Sequence, residues 1–245
     1  MYKFTPKNYT GFFNNIDDSY QFLKTNNIAV DEILSDSEKK NILKPNLNDL
    51  ARLLKICQDS NPENIIEYGC GFSSLIFHNF LNQNYKNELR SHFQIIEVHR
   101  KYLDLAIKRF DKSRNKFKLI SDICSVQKDN VRDDGSHKYL ASYKFNPDLI
   151  YLDGPDPKDI EDSQFIVTEQ RVPISSDLLS IESWLLPATI IVVDGRSANV
   201  RYLKRNLQRN WEWDTNYEND CSIGILNEEP LGKKSIENLK NRGLI

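Results

Sequence analysis

The chain has 245 residues, a formal net charge of -2, 39% hydrophobic and 28% charged residues. That is the profile of a globular protein long enough for one well-buried domain plus a small extension. No apolar run approaches the roughly 18 residues a membrane-spanning helix needs, and Lys and Arg are scattered rather than clustered, which argues against nucleic acid as a partner.

The first residues, Met1 to Pro6, lack the apolar core of a signal peptide, so a cytoplasmic location is expected. Residues 1–60 are polar and rich in Asn, Lys and Asp, with helices expected at Asp17–Lys24 and, just after Pro45 and Asn46, at Leu47–Gln58. They read as an N-terminal helical extension to a domain spanning 61–228. Residues 63–74 then carry the most informative pattern. An apolar strand through Ile65 and Ile66 ends in Glu67, Gly69 and Gly71 follow, and Ser73 and Ser74 open an amphipathic helix over Ser74–Asn82. The two glycines allow positive φ and close approach of the backbone to a ligand. A dinucleotide fingerprint would place a third glycine where Ser74 stands, and Glu67 would repel a pyrophosphate. A ligand carrying positive charge is therefore expected, the plain alternative being a strand-to-helix turn that binds nothing.

Phe93–Val98 reads as a second strand, followed by a helix over His99–Arg114 with Tyr102, Leu103, Ala106, Ile107 and Phe110 at helical spacing. Phe117–Ser121 is a third strand, 126–146 a hydrophilic surface loop, and Leu149–Leu152 a fourth strand between Pro147 and Gly154-Pro155. The connection Gly154–Ser175 is too long for an ordinary strand-to-helix loop and reads as a lid over an acceptor. A helix over Ser176–Leu186, a strand over Thr189–Val193 and a helix over Asn199–Gln208 follow. Glu212–Tyr217 and Ser222–Leu226 form a hairpin around Glu218-Asn219-Asp220, and 229–245 is a tail. Continuous apolar strands alternating with helices predict an α/β, Rossmann-like, doubly wound fold. Its seven-stranded sheet would be mostly parallel, with a C-terminal antiparallel hairpin. Cys57, Cys70, Cys124 and Cys221 have neither zinc-site nor disulfide-framework spacing and read as buried thiols.

Ligands of open parallel sheets bind beyond the carboxyl ends of the strands, where this chain puts Glu67, Glu97, Asp122, Asp153 and Asp194. Glu97 lies 28 residues beyond Gly69, in the range of an acid that accepts from ribose hydroxyls. Asp122 could equally be a turn or capping aspartate.

Acid-x-Gly-x-Gly after Ile65-Ile66 resembles motif I of the class I S-adenosylmethionine-dependent methyltransferases, and the terminal hairpin extends that resemblance over about residues 60–228. It implies S-adenosylmethionine as cofactor, bound by Glu67, Gly69, Cys70, Gly71, Ser73, Glu97 on the ribose, Asp122 on the adenine amino group, and Asp153, which would face the transferred methyl group. It also implies that the extension covers the cofactor or shapes the acceptor pocket, packing on the sheet edge being the alternative. Asp153 with Asp194 as catalytic carboxylates resembles the metal-dependent O-methyltransferases of the catechol type and the related sugar and macrolide enzymes, so both are candidate Mg2+ ligands. Those enzymes follow the second Asp with Asn or Asp. Gly195 stands there in this chain, and Asp156, Asn199 or water would have to complete the oxygen set. Without metal, Asp153, Asp194 or a histidine from elsewhere in the chain could serve as general base.

Arg196, Asn199 and Arg201 could contact an anionic or polyhydroxylated acceptor, solvated charge being the alternative for Arg201. Asp153-Gly154-Pro155-Asp156 departs from the Asp/Asn-Pro-Pro-aromatic pattern of amino-methylating DNA enzymes. The expected activity is methyl transfer to a hydroxyl of a sugar or small metabolite, the oligomeric state being open. An NAD-linked oxidoreductase and a non-catalytic cofactor-binding scaffold are the alternatives.

Overall fold

A computed structural model describes residues 2–39, 43–84, 91–110, 116–160 and 173–245. In chain order the elements are α1 (Lys7–Thr10), α2 (Ile16–Thr25), α3 (Val30–Lys39), α4 (Leu47–Ser60), β1 (Asn64–Tyr68), α5 (Ser73–Asn84), β2 (His92–Glu97), α6 (Arg100–Lys108), β3 (Lys118–Ile123), β4 (Val126–Lys128), β5 (His137–Tyr139), β6 (Leu149–Leu152), α7 (Asp177–Ile181), β7 (Ile190–Asp194), α8 (Ser197–Asn206), β8 (Trp211–Asn216), β9 (Cys221–Leu226) and α9 (Gly232–Asn241). The end of the helix expected through Arg114 and residues 161–172 of the expected lid lie outside the described residues.

Seven strands form one sheet in the order β3-β2-β1-β6-β7-β9-β8. β1 pairs in parallel with β2 and β6, β6 with β7, and β9 runs antiparallel between β7 and β8. The chain winds outward from β1 through β2 to β3, then returns to place β6 on the other side of β1. The switch point therefore falls between β1 and β6, where ligands of such sheets bind.

Strand periodicity of two divides the side chains between two apolar layers. Ile65, Phe93, Ile95, Leu149, Tyr151, Ile190 and Val192 face a layer that includes Leu50, Leu53 and Leu54 of α4 and Ile76, Phe77 and Phe80 of α5. Ile66, Tyr68, Ile96, Ile150, Leu152, Ile191 and Val193 face the opposite layer, closed by Leu178 and Ile181 of α7, Val200 and Leu203 of α8, and Val126 and Tyr139 of the β4–β5 hairpin. Each fully buried aliphatic side chain in these layers contributes about 1.5–3 kcal/mol relative to exposure.

α4 is fixed at both ends. Asn46 caps its start by accepting from the Asn48 N–H (3.0 Å), and Asn61 ends it in a left-handed conformation, φ 42°. α2 starts the same way, with Asn15 accepting from Asp17 N–H and Asp17 and Asp18 in the first turn.

Three expectations are corrected. The 126–146 loop contains the antiparallel hairpin β4–β5, pinned because buried Asp177 accepts from the Tyr139 N–H and from the Ser175 and Tyr143 hydroxyls. The 229–245 tail folds into α9, whose Leu239 and the following Leu244 are buried, while Arg242 Nη1 donates to Asp148 Oδ1 at 3.0 Å. Cys70 and Cys124 are only partly buried, unlike Cys57 and Cys221. Among the described residues no helix is long and apolar enough to cross a membrane.

Candidate active site

The turn after β1 is built against its two neighbours. Gly69 N–H donates to the Ile96 carbonyl of β2 (2.9 Å), and the Asp153 N–H donates to the Tyr68 carbonyl (2.9 Å). Gly69 has φ +78°, and a Cβ there would lie 2.7 Å from the Asp153 carbonyl oxygen. Gly71 differs from expectation. It does not adopt positive φ, and a Cβ on it would find nothing within 4 Å among the described residues.

Glu97, at the end of β2, reaches across to this turn. Its Oε2 accepts from the Cys70 N–H (3.0 Å) and its Oε1 from the N–H groups of Val98 (2.8 Å) and His99 (2.9 Å). Three amides fix the carboxylate in place, and the Cys70 thiol stands beside it as a further, weak donor.

Glu67 is fully buried. Ser73 Oγ donates to its Oε1 (2.5 Å) and Ser74 Oγ to its Oε2 (2.6 Å), tying the strand to the first turn of α5. Burial pushes the Glu67 carboxyl up to about 8, against the two serine hydrogen bonds, with the charges of Asp153 and Glu97 adding to the rise.

Alternation along the strands puts Glu67, Glu97, Tyr151, Asp153 and Asp194 on the face that α4 and α5 cover. Asp122 is different. It pairs with Ile96, on the other face, and its carboxylate accepts from Gln94 Nε2, which also donates to the Ser142 carbonyl (2.9 Å). The structure brings the other four acids together and leaves Asp122 across the sheet.

Asp153 has its side chain 52% exposed. Desolvation by the surrounding protein, and next the charge of Asp194, raise its carboxyl above the usual range. Asp194 accepts from the Tyr151 hydroxyl (2.8 Å) and is raised to about 6 by burial first and by Asp49 second.

Arg196 is buried beside Asp153. Its Nη1 donates to the Pro155 carbonyl (2.7 Å) and its Nη2 to the Asp153 carbonyl (3.0 Å) and to Asp156 Oδ1 (3.0 Å). Asn199, also buried, accepts from Ser175 N–H (2.7 Å) and donates to the Ser175 carbonyl (3.1 Å), closing the far end of the 154–175 connection. Arg201 is exposed on α8. The near end of the connection is held over the rim of β2, where His99 Nε2 contacts Asp159 Oδ1 (2.8 Å) and Lys158 lies 4.6 Å from the Tyr102 ring centroid.

Two residues of the extension escaped the sequence reading. Arg52 of α4 is 2% exposed and bonds Asp49 Oδ1 through Nη1 (2.6 Å), while its Nε and Nη2 have no hydrogen-bond partner among the described residues. The charge of Arg52 reaches Asp194 and Cys221, and that of Asp49 reaches Asp153 and Tyr151. A charged i,i+3 pair on the otherwise apolar face Leu47, Leu50, Ala51, Leu53 and Leu54 was the available signal.

The residues fit S-adenosylmethionine. The turn carrying Gly71, the carboxylate of Glu97 that braces it and the exposed side chain of Asp153 all lie at the strand ends around the switch point. They do not fit Mg2+. Asp153 has a guanidinium beside it, Asp156 is committed to that guanidinium and Asn199 to Ser175, and among the described residues no group of three or more His, Cys, Asp or Glu could hold a metal ion.

No protein-family model matches the chain, and no curated protein matches it either. Among solved structures it is similar to a methyltransferase from Geobacter sulfurreducens, with a TM-score of 0.51 at 11% identity over 81% of this chain and 89% of that one. It is also similar to the S-adenosylhomocysteine-bound methyltransferase PaMTH1 of Podospora anserina (0.46, 14%, 91% and 92%) and to an O-methyltransferase from Bacillus cereus in complex with S-adenosylhomocysteine (0.45, 13%, 87% and 100%). Strand order, the antiparallel β9 and the likeness to the Geobacter structure agree: the chain has the Rossmann-like fold of the class I S-adenosylmethionine-dependent methyltransferases.

Proposed function

We propose that this chain is an S-adenosylmethionine-dependent methyltransferase that methylates a hydroxyl of a sugar or other small metabolite. The observation that carries the reading is the corner at the switch point, where Glu97 clasps the amide of Cys70 beside Gly71 and the exposed carboxyl of Asp153. A ribose hydroxyl would take the acceptor direction of Glu97 that the weakly donating Cys70 thiol faces. Glu67, sealed by Ser73 and Ser74 and raised to about 8 by burial, acts through the turn it braces without touching the ligand.

The cofactor supplies an activated methyl on a sulfonium, so the protein needs no nucleophile of its own and mainly aligns and desolvates the reactants. Asp153, poised above the usual carboxylate range and with its side chain exposed, takes the role of general base toward the acceptor hydroxyl. Asp194, held by Tyr151, flanks it. Asp49 and Arg52 of α4 close the same end of the sheet. Two of the similar structures are named as holding S-adenosylhomocysteine, the product this reading predicts.

Titration calorimetry with S-adenosylhomocysteine and with NAD tests the cofactor. Saturable binding of the first alone is expected, and binding of NAD alone would overturn the reading in favour of an oxidoreductase. Incubation with labelled S-adenosylmethionine and a small-molecule extract tests the acceptor, with label expected in a low-mass product. Label found only in protein or nucleic acid would refute the small-molecule assignment.

A further inference from the structure

Asp153 and Asp194 have the residue types of a divalent-cation site, yet their surroundings already hold a cation. Arg196 is 4% exposed and fixed from several sides by the carbonyls of Asp153 and Pro155 and by Asp156 Oδ1, at 2.7–3.0 Å. Its Nε lies 3.7 Å from Asp153 Oδ1 and has no hydrogen-bond partner among the described residues. A guanidinium does not deprotonate in a protein, so this positive charge is permanent. Held that rigidly, it cannot withdraw to make room for an ion without stranding its own donors in a buried setting.

The ligand set argues the same way. The residue after Asp194 is Gly195, which offers no side-chain oxygen, and Asp194 itself accepts from Tyr151. Asp156 is paired with Arg196, and Asn199 spans the backbone of Ser175 with both ends of its amide. Among the described residues, an ion at Asp153 would therefore have one committed neighbour carboxylate, no cluster of three ligating side chains, and a guanidinium within Coulombic reach.

We infer that Arg196 is the resident cation of this site, excluding a divalent metal from the Asp153–Asp194 pair and taking over the positive charge that such a metal would bring there. Arg196 is a positioning residue. It holds the loop after β6 and the carboxyl of Asp153 in one arrangement, leaving the Nε–H edge as the donor nearest that carboxyl. This deepens the methyltransferase reading and rests on it for the role of Asp153, while the metal question has its own readout.

That readout is the electron paramagnetic resonance signal of Mn2+ titrated with the full chain, with and without S-adenosylhomocysteine. The wild-type protein should leave the free Mn2+ signal unchanged. Stoichiometric loss of signal that Asp153→Asn abolishes would overturn the inference. Arg196→Lys, which keeps the charge, should still exclude Mn2+, whereas Arg196→Asn should raise Mn2+ affinity at least about tenfold by removing the charge and adding an oxygen. A folded Arg196→Asn variant that binds no more Mn2+ than wild type would also overturn it. Calorimetry with S-adenosylhomocysteine on the same samples separates the two readings, because absence of that binding counts against the methyltransferase and leaves the Mn2+ result standing.

Discussion

Gly69 and Asp153 meet backbone to backbone at the switch point of the sheet, so close that a single carbon added to Gly69 would press on the Asp153 carbonyl oxygen at 2.7 Å. One residue belongs to the turn that would cradle the cofactor, the other is the candidate base. Their contact ties cofactor placement to acceptor chemistry. Gly69→Ala would have to move one strand end and also adopt φ +78°. It should cost about 1–3 kcal/mol of stability and weaken S-adenosylhomocysteine binding at least about tenfold, read by urea unfolding and calorimetry. Unchanged affinity would place the cofactor elsewhere.

Gly154 is required for a different reason. A Cβ there would run into the Tyr139 hydroxyl of the β4–β5 hairpin. Gly154→Ala should destabilise by about 1–3 kcal/mol through overpacking, and Tyr139→Phe should restore part of that loss in the double variant. A double-mutant cycle with no coupling would show that the hairpin yields freely.

Glu97 is held by three backbone amides, and the side that the Cys70 thiol faces is where a ligand hydroxyl would bind. Glu97→Ala should reduce S-adenosylhomocysteine affinity by about 2–3 kcal/mol, the worth of charge-assisted hydrogen bonds plus the stranded amides. Adenine-free analogues that keep the ribose should lose the same amount, which calorimetry can measure.

Glu67 gives the apo protein a pH dependence of predictable sign. Its carboxyl is raised in the folded chain from the ordinary 4.5 to about 8, so between those values the native state binds more protons than the unfolded state. The stabilising contribution is complete below about pH 4.5 and is lost as pH rises through about 8, with a slope of up to about 1.4 kcal/mol per pH unit from this group. Glu67→Gln should flatten that part of the profile in urea melts from pH 5 to 8.5. An equally steep slope in the variant would assign the effect to other groups.

Buried Arg52 pairs with the half-buried Asp49 on α4. Arg52→Met alone should destabilise by about 3–5 kcal/mol because Asp49 is left uncompensated, and adding Asp49→Leu should recover most of it. If the pair serves the acceptor, the double variant should keep S-adenosylhomocysteine affinity and lose methyl transfer to the labelled product. Retained transfer would reduce the pair to a structural role.

Much of this was legible in the chain itself. Apolar runs such as Leu149–Leu152 and Ile190–Val193 are short, continuous and bounded by breakers, which is enough to define buried parallel strands, and the spacing of Glu67, Gly69 and Gly71 fixed the kind of turn. These signals are local, written in residues a few positions apart. The helix α9 and the β4–β5 hairpin were not legible, because each is held by distant partners, Arg242 by Asp148 and Tyr139 by Asp177. The facing of the acids was the tertiary structure's decision as well. Strand parity and register bring Glu67, Glu97, Asp153 and Asp194 to one side of the sheet and leave Asp122 on the other. Sequence supplied the acids and the glycine turn, but only folding set Arg196 against Asp153 and carried Arg52 to the end of β7, because charges 43 and 142 residues away meet those strands through packing rather than through any local pattern.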